Sequence, residues 1–321
     1  MSQGRALITL VVPVFNEAAG LSQNLPWLLE QAATDGVDFE VLLIDDGSTD
    51  QTAKVLEGLA SQDPRIRVLS LVRNFGKEAA IAAGLDHARG AAVIVLDSDR
   101  QHPPQMIAQM IERWRQGFAV VEAIKRDRGP QDRAGGIPAR LFYRVFSGAS
   151  GIDLANQTDF KLLDREVIEH LKRFPERRRF FRGLVGWTGY PSARLPFDVP
   201  SRVGGDSRWS SLALGRYAID AIMGFSDLPL KLIVGAGLAV FAVAGIAAIV
   251  ALWQKLAGSA IDGFTTVIIL LALASGAIMA SLGVVGVYVA RIHDQVRGRP
   301  IYLLRDPPAS SRDDDRPTGA A

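Results

Sequence analysis

The stretch Ala91-Ala92-Val93-Ile94-Val95-Leu96 runs directly into Asp97-Ser98-Asp99-Arg100-Gln101-His102-Pro103-Pro104. A short run of β-branched and aliphatic residues predicts a buried strand, and the proline pair ends the acidic loop and opens a helix. Four more such runs are separated by segments of helical character: Ile8–Val14, Phe39–Ile44, Ile66–Leu71 and Phe118–Ala123. Five strands alternating with helices predict an α/β fold with a parallel-type sheet covered on both faces.

The loops that follow the strands are the candidate binding segments, because ligands of such sheets bind at the carboxyl ends of the strands. Pro13-Val14-Phe15-Asn16-Glu17 follows the first strand, and Asn16 is suited to cap the next helix. Asp45-Asp46-Gly47-Ser48-Thr49-Asp50 follows the second. A tight turn with a helix cap explains much of this motif, but adjacent carboxylates repel unless hydrogen bonds or a ligand compensate. Taken alone, the motif fits a structural and a functional interpretation equally.

The loop after the fourth strand carries the sharper signal. Asp97, Asp99 and the amide oxygen of Gln101 form a hard-oxygen set that suits Mg²⁺ or Mn²⁺. An acidic turn with an aspartate helix cap is the alternative for an isolated Asp-x-Asp. Three acidic or capping motifs at strand ends favour a metal-dependent site for a nucleotide diphosphate.

Composition excludes several classes of function. The chain has 321 residues, which suggests two units or one large domain with an appendage. With 36 basic and 34 acidic residues the net charge is only +2, which argues against a nucleic-acid binder. The absence of cysteine excludes disulfides, a thiol nucleophile and a cysteine-ligated zinc site.

Two long runs near the C-terminus, residues 232–253 and 264–290, contain no charged residue. About 20 apolar helical residues span a bilayer, so each run predicts a transmembrane helix. Buried core helices are the alternative, although globular helices seldom run this long without a polar face. Residues 1–10 hold no apolar stretch of the kind found in a cleavable signal peptide.

Basic residues flank these runs at Lys231, Arg291, Arg297 and Arg299, which predicts that both termini are cytoplasmic. The predicted organisation is a catalytic domain at 1–205, a juxtamembrane amphipathic segment at 206–228, two membrane helices within 229–292, and a tail at 293–321 that is disordered at its end. An ordinary core helix fits the stretch 209–225 equally well. Small-xxx-small pairs, Ala244/Ala248 and Gly276/Ala280, permit close helix contacts.

The motifs together resemble the inverting family 2 glycosyltransferases of GT-A fold: Val12-Pro13-Val14-Phe15-Asn16-Glu17, Asp45-Asp46-Gly47-Ser48-Thr49-Asp50, Arg73-Asn74-Phe75-Gly76-Lys77-Glu78 and Asp97-Ser98-Asp99-Arg100-Gln101-His102-Pro103. More narrowly, the chain is similar to the polyprenyl-phosphate glycosyltransferases, which include dolichyl-phosphate mannose synthases and bactoprenol glucosyltransferases. Further matching segments extend the likeness over about residues 5–305: Asp159–Leu162, Arg182–Trp187, Arg202–Arg208, Phe225–Leu230 and Arg299–Tyr302.

The resemblance implies a Rossmann-like GT-A domain followed by two transmembrane helices, and it implies site residues. The donor nucleotide sugar is expected on Pro13, Phe15, Asn16, Glu17, Asp46, Asp97, Ser98 and Asp99. The metal is expected on Asp97, Asp99 and Gln101. Donor and acceptor phosphates are expected on Arg126, Arg128, Arg202, Ser207 and Arg208. Asp159 is the candidate base, although it fits an orienting residue or a helix cap as well. The residues themselves make Arg177–Arg179 a candidate contact with anionic lipid headgroups, although a solvated run of charges is the default for such a stretch.

The reaction that this family implies is inverting transfer of a hexose from a nucleotide sugar to a lipid phosphate of the undecaprenyl type. UDP-glucose is the first expectation, because Arg73–Glu78 and Pro175–Arg177 look closer to the glucosyl branch. GDP-mannose, UDP-GlcNAc and an aminoarabinose donor remain alternatives, and so does a non-catalytic, membrane-anchored nucleotide-binding scaffold. A processive polysaccharide synthase is disfavoured by only two spans and by the lack of a Gln-x-x-Arg-Trp motif.

The expected location is the inner membrane of a bacterium, and the expected partners are membrane lipids and further copies of the chain. Ser98, Arg100 and Val287 depart from the family pattern.

Overall fold

The computed structural model describes residues 5–32, 36–98, 102–126, 157–177, 179–198, 228–257 and 263–305. The strands are β1 Ala6–Val14, β2 Val37–Asp45, β3 Ile66–Ser70, β4 Ala92–Val95, β5 Val120–Lys125, β6 Gln157–Asp164 and β7 Ser192–Phe197. The helices are α1 Ala18–Ala32, α2 Thr52–Gln62, α3 Lys77–His87, α4 Gln105–Arg115, α5 Arg165–Lys172, α6 Phe181–Trp187, α7 Leu228–Leu256 and α8 Phe264–Val296. The five strands predicted from the apolar runs correspond to β1–β5.

These strands form a seven-stranded sheet in the order β3-β2-β1-β4-β6-β5-β7. The pairs β1–β2, β2–β3, β1–β4 and β5–β7 are parallel, whereas β6 is antiparallel to both β4 and β5. The sheet is therefore mixed, which differs from the parallel-type sheet expected from the strand and helix alternation. Because β6 runs against its neighbours, its first residues lie at the edge where the neighbouring strands end.

The register between β4 and β6 sets up the site. Val95, the last residue of β4, pairs with Lys161. Because the strands are antiparallel, the same register places Asp97, two residues after Val95, opposite Asp159, two residues before Lys161. Two carboxylates from distant parts of the sequence thus meet at the carboxyl edge of the sheet.

The helix α3 packs very closely on this sheet because its central residues are small. Ala79, Ala80, Ala82, Ala83 and Gly84 are all buried. A Cβ atom added at Gly84 would lie 2.2 Å from Cγ1 of Val11 in β1. The absence of a side chain at Gly84 therefore lets α3 lie against the sheet, with Lys77 at its first position.

The helices α7 and α8 belong to a second compact unit, separate from the unit that contains the sheet. The α8 stretch Leu273–Val296 is long and apolar enough to cross a membrane, whereas the apolar stretch described in α7, Leu232–Ala247, is shorter. The prediction of two spans is therefore confirmed for one helix, and the span in α7 stays a prediction.

Residues after α8 return to the sheet unit, which the predicted tail at 293–321 did not anticipate. We call Ile301–Arg305 the C-terminal strap. Leu304 forms an antiparallel bridge with Leu71, and the amide of Val72 donates to the carbonyl of Leu303 at 3.0 Å. The strap therefore covers the open edge of β3. The juxtamembrane segment predicted at 206–228 lies outside the described residues, apart from Leu228.

Candidate active site

The acidic turn after β2 is held by backbone amides. The amide of Ser48 donates to Oδ1 of Asp45 at 2.9 Å. The two oxygens of Asp46 accept from the amides of Phe75 and Gly76 at 2.7 and 2.9 Å. Burial raises the pKa of Asp46, although these two amides work in the opposite direction. The backbone amides thus offset part of the repulsion between the neighbouring carboxylates.

Gly47 allows this turn to touch the segment 73–76. Its φ of +66° lies in the left-handed region, and an added Cβ would lie 2.3 Å from the carbonyl carbon of Arg73. Asp46, which is expected to bind the donor nucleotide sugar, therefore lies where the turn after β2 packs tightly against the segment 73–76.

The first loop is joined to the second in the same way. Asn16 adopts a φ of +53°, its amide donates to Oγ of Ser48 at 3.0 Å, and its Oδ1 accepts from the amide of Thr49 at 2.8 Å. The side chain expected to cap α1 instead ties the end of β1 to the turn after β2. Because the tie crosses between two strands, spacing along the chain could not reveal it.

Glu17 and Ser98 meet beside this junction, and the Ser98 hydroxyl donates to Oε2 of Glu17. Ser98, which departs from the family pattern, thus forms a hydrogen bond with Glu17, a residue expected to bind the nucleotide sugar. Pro13 is half-buried and Phe15 exposes 36% of its surface at the same edge.

Lys77 links the two carboxylates that the sheet register brings together. Its Nζ lies 2.6 Å from Oδ1 of Asp97 and 2.7 Å from Oδ2 of Asp159. Arg182, at the start of α6, donates from Nε to Oδ1 of Asp159 at 2.7 Å and from Nη2 to Oδ2 at 3.1 Å. Asp159 therefore contacts two cations at once.

These contacts set the charge state of the cluster. Burial alone would raise the pKa of Asp159, but the charges of Arg182 and Lys77 outweigh it and hold that pKa well below its usual range. Burial would likewise lower the pKa of Lys77, yet Asp97 and Asp159 raise it above its ordinary value. At neutral pH Lys77 therefore carries its proton and Asp159 is a carboxylate without one.

His102 fixes the backbone of Asp97. Its Nδ1 accepts from the amide of Asp97 at 3.0 Å, and its ring stacks on Phe160 with centroids 4.8 Å apart. The sequence offered His102 only as part of a loop motif. Its role depends on Phe160, a β6 residue that spacing alone could not place beside it.

The remaining expected residues are distributed as follows. Arg126 forms an exposed ion pair with Asp198, with 3.2 Å between Nη1 and Oδ2. Outside the described residues lie Asp99, Gln101, Arg128, Arg202, Ser207 and Arg208. Within the described ranges no three acidic or histidine side chains cluster closely enough to hold a metal ion by themselves. Asp97 supplies one hard oxygen ligand, and its expected partners in the metal set are Asp99 and Gln101.

The sequence profile of the glycosyl transferase family 2 domain matches residues 9–180. The matched region begins within β1, extends past β6 and contains Lys77, Asp97 and Asp159, whereas Arg182 lies just beyond it. The chain belongs to glycosyl transferase family 2. Its mixed, Rossmann-like sheet is that of the GT-A fold, and the protein is a glycosyltransferase.

Relatives match this family member over nearly their full length. The glycosyltransferase YkcC of Bacillus subtilis, described as uncharacterized, is 35% identical over 92% of this chain and 93% of its own. A prophage bactoprenol glucosyl transferase homolog of Escherichia coli is 34% identical over 93% of this chain and 98% of its own. The bactoprenol glucosyl transferase of Shigella phage SfV is also 34% identical, with the same two coverages.

The solved structures that resemble the chain are more distant. Mannosyl-3-phosphoglycerate synthase from Rubrobacter xylanophilus is 19% identical with a TM-score of 0.47, over 68% of this chain and 72% of its own. The mannosyltransferase PcManGT from Pyrobaculum calidifontis, solved with GDP-Man and Mn²⁺, is 20% identical with a TM-score of 0.44, over 87% of both chains.

Proposed function

We propose that this glycosyltransferase moves a hexose from a nucleotide sugar to a polyprenyl phosphate with inversion at the anomeric carbon. UDP-glucose is the donor we expect and undecaprenyl phosphate the acceptor. The observation that carries the proposal is the cluster of ion pairs that Lys77, Asp97, Asp159 and Arg182 form at the carboxyl edge of the sheet. The names of relatives similar over nearly their full length support the lipid acceptor.

The donor side is formed by the first two loops. Phe15 presents an exposed aromatic face that suits stacking against a nucleobase. Each oxygen of Asp46 accepts one backbone amide and keeps lone-pair capacity for a further donor. A uracil N–H and the ribose hydroxyls are groups that these loops can hold.

The diphosphate side is formed by Asp97 with Asp99 and Gln101, whose oxygens suit Mg²⁺ or Mn²⁺. Such an ion, when bound, stabilises the negative charge that develops on the departing nucleoside diphosphate. Lys77 already neutralises Asp97 from the other side, since its Nζ lies 2.6 Å from Oδ1. Together these groups keep the charge of the site balanced before the donor binds.

The acceptor side explains why Asp159 need not act as a base. A lipid monophosphate has a second pKa of about 6, so it reaches the site largely as a dianion with no proton to lose. A phosphate oxygen attacks C1 of the sugar while the bond from C1 to the diphosphate oxygen breaks, and the electron pair leaves with the diphosphate. Asp159 holds Lys77 and Arg182 in place, and these cations attract and orient the phosphate.

Membrane attachment places the acceptor within reach of such an enzyme. The α8 stretch Leu273–Val296 supplies an apolar anchor. We propose that it lies in the inner membrane of a bacterium with the catalytic domain in the cytoplasm, as the flanking arginines indicate. Small residues on the two helices are consistent with a homo-oligomer.

The decisive experiment is an assay of the purified full-length protein in detergent. It is incubated with undecaprenyl phosphate, Mg²⁺ or Mn²⁺ and one sugar from a panel of UDP- and GDP-sugars, and the lipid product is identified by mass spectrometry. We expect undecaprenyl-phosphate hexose with UDP-glucose. A product with GDP-mannose, UDP-GlcNAc or an aminoarabinose donor would correct the donor, and no product with any of them would overturn the reaction.

Two variants separate an enzyme from a nucleotide-binding scaffold. Asp97→Asn removes a metal-binding and Lys77-binding carboxylate and should lower turnover by at least about 100-fold. Asp38→Asn makes the same chemical change at an exposed residue of β2 and should leave turnover unchanged. Cellular function that persists in Asp97→Asn would favour the scaffold.

A further inference from the structure

The first two residues of α3 reach two different parts of the site. Lys77 contacts Asp97 and Asp159. Glu78, the next residue, accepts a hydrogen bond at Oε2 from the backbone amide of Phe181, with 2.7 Å between the two atoms. One short segment therefore touches both Asp159 and the helix that carries Arg182.

The hydrogen bond from the Phe181 amide to Glu78 satisfies a free backbone donor in the first turn of α6. The first amides of a helix have no partner within the helix, and a side chain just before the helix usually accepts from one of them. Phe180 stands at that position in α6 and makes no side-chain cap. Glu78 supplies the missing acceptor from a different helix, more than 100 residues earlier in the chain.

Arg182, the residue after Phe181, donates hydrogen bonds to Asp159. Arg182 places Nε and Nη2 on the two oxygens of Asp159, and its Nη1 donates to the carbonyl of Gln157 at 3.2 Å. The contacts close a ring that runs from Glu78 to the start of α6, through Arg182 to Asp159, and through Lys77 back to α3. A shift in the first turn of α6 would move the guanidinium relative to Asp159.

We infer that Glu78 is a positioning residue: its carboxylate fixes the start of α6 so that Arg182 meets Asp159 while Lys77 meets it from α3. The inference rests on the proposed function, because it assumes that the geometry of Asp159 and its two cations matters for transfer.

The environment of Glu78 supports a role beyond stability. Glu78 lines a small, mostly apolar pocket with Ile81, Leu85, Leu171, Leu184 and Arg179. Burial there, together with the charge of Asp159, raises the pKa of Glu78 to about 7. A neutral serine or asparagine would cap a helix without this electrostatic cost. The presence of a long side chain with an oxygen acceptor at this position is explained by its reach from α3 to the first turn of α6.

The test compares Glu78→Ala and Glu78→Gln with the control Glu57→Gln, which changes an exposed glutamate of α2. All are full-length proteins in detergent assayed with undecaprenyl phosphate and UDP-glucose. We expect Glu78→Ala to lower kcat by about tenfold, the effect of one lost charge-assisted hydrogen bond. KM for the donor should change by less than about twofold, because Glu78 lies on the Asp159 side of the site.

Glu78→Gln keeps an oxygen acceptor for the Phe181 amide, so it should recover most of the lost turnover. In an Arg182→Ala background, Glu78→Ala should lower kcat by less than about a further twofold, because the effects of two substitutions are not additive when one residue acts through the other. An unchanged kcat in Glu78→Ala, or full additivity with Arg182→Ala, would refute the positioning role.

Hydrogen exchange separates this inference from the proposed reaction. The amide of Phe181 should exchange at least about tenfold faster in Glu78→Ala than in Glu57→Gln, whatever substrate the enzyme uses. Equal exchange would refute the capping contact. Wild-type protein that transfers no sugar, with faster exchange in Glu78→Ala, would instead sink the proposed reaction, and with it the positioning role in transfer.

Discussion

At the scale of single residues, Asp159 is the carboxylate whose surroundings argue against a base. Two cations hold its pKa well below the usual range, so it stays ionised at any pH near neutrality. We expect Asp159→Asn to lower kcat by about 100-fold or more, because Lys77 and Arg182 lose the charge that positions them. The wild-type pH profile of kcat should show no ionisation of Asp159 between pH 6 and 8. Turnover close to the wild type in this variant would remove Asp159 from the mechanism.

The sequence pointed to Asp97 through a motif at a strand end and to Asp159 through the family resemblance, and the structure places both in contact with Lys77. Sequence reasoning gave no role to Lys77 or Arg182, although both lie in motifs that were quoted. Lys77 is 82 residues from Asp159 along the chain, and Arg182 is 23 residues from it. Their meeting depends on the antiparallel placement of β6, and no spacing rule within one element can supply that information.

At the scale of elements, β6 shows why a pattern of apolar runs finds only part of the sheet. Polar and apolar residues do not alternate along its sequence, Gln157-Thr158-Asp159-Phe160-Lys161-Leu162-Leu163-Asp164. One of its charged residues, Lys161, is nevertheless fully buried. Its Nζ donates to Gln157 at 3.0 Å and also pairs with Glu122 of β5. A buried lysine with two partners reads as a surface residue in the sequence, so β6 could be identified only from the structure.

The junction between the turn at 45–48 and the segment 73–76 is the element whose geometry is easiest to test. Gly47→Ala would force a Cβ atom to within 2.3 Å of the Arg73 backbone at a φ of +66°. Gly117→Ala is a matched control, because Gly117 has a φ of +96° but open space around its added Cβ. The control should cost about 1 kcal/mol of stability. Gly47→Ala should cost at least about 2 kcal/mol more and raise KM for the donor, as thermal unfolding and kinetics would show. Equal effects of the two changes would mean that the junction yields without strain.

At the scale of the whole molecule, a net charge of +2 conceals a separation of roles. Acidic residues gather at the carboxyl edge of the sheet, basic residues meet them from α3 and α6, and the uncharged runs form helices of a second unit. Composition gave the net charge, and the charge-free runs predicted the apolar helices. Neither could show that the chain after α8 contributes to the sheet unit.

The C-terminal strap connects the chain after α8 to the sheet unit, and its hydrogen bonds can be tested by truncation. The amide of Arg305 donates to the carbonyl of Ser70 at 2.7 Å, and the hydroxyl of Tyr302 donates to Oδ2 of Asp86 at 2.9 Å. A chain that ends at Arg299 would lose these bonds and expose the edge of β3, which is a site for unwanted strand pairing. A chain that ends at Arg305 would keep them.

We expect the shorter truncation product to melt several degrees lower than the longer one and to aggregate more readily. Its KM for the donor should also rise, because Val72, which pairs with the strap, directly precedes the segment 73–76 that holds Asp46. The product that ends at Arg305 should match the full chain in both measurements, which assigns any loss to the strap alone. Identical melting and KM in the two truncated proteins would show that the β3 edge and the donor loops hold their shape without it. If the protein that ends at Arg299 melts at a lower temperature but keeps its KM, the strap contributes to stability only. Donor binding would then depend on the junction at Gly47 and not on the strap.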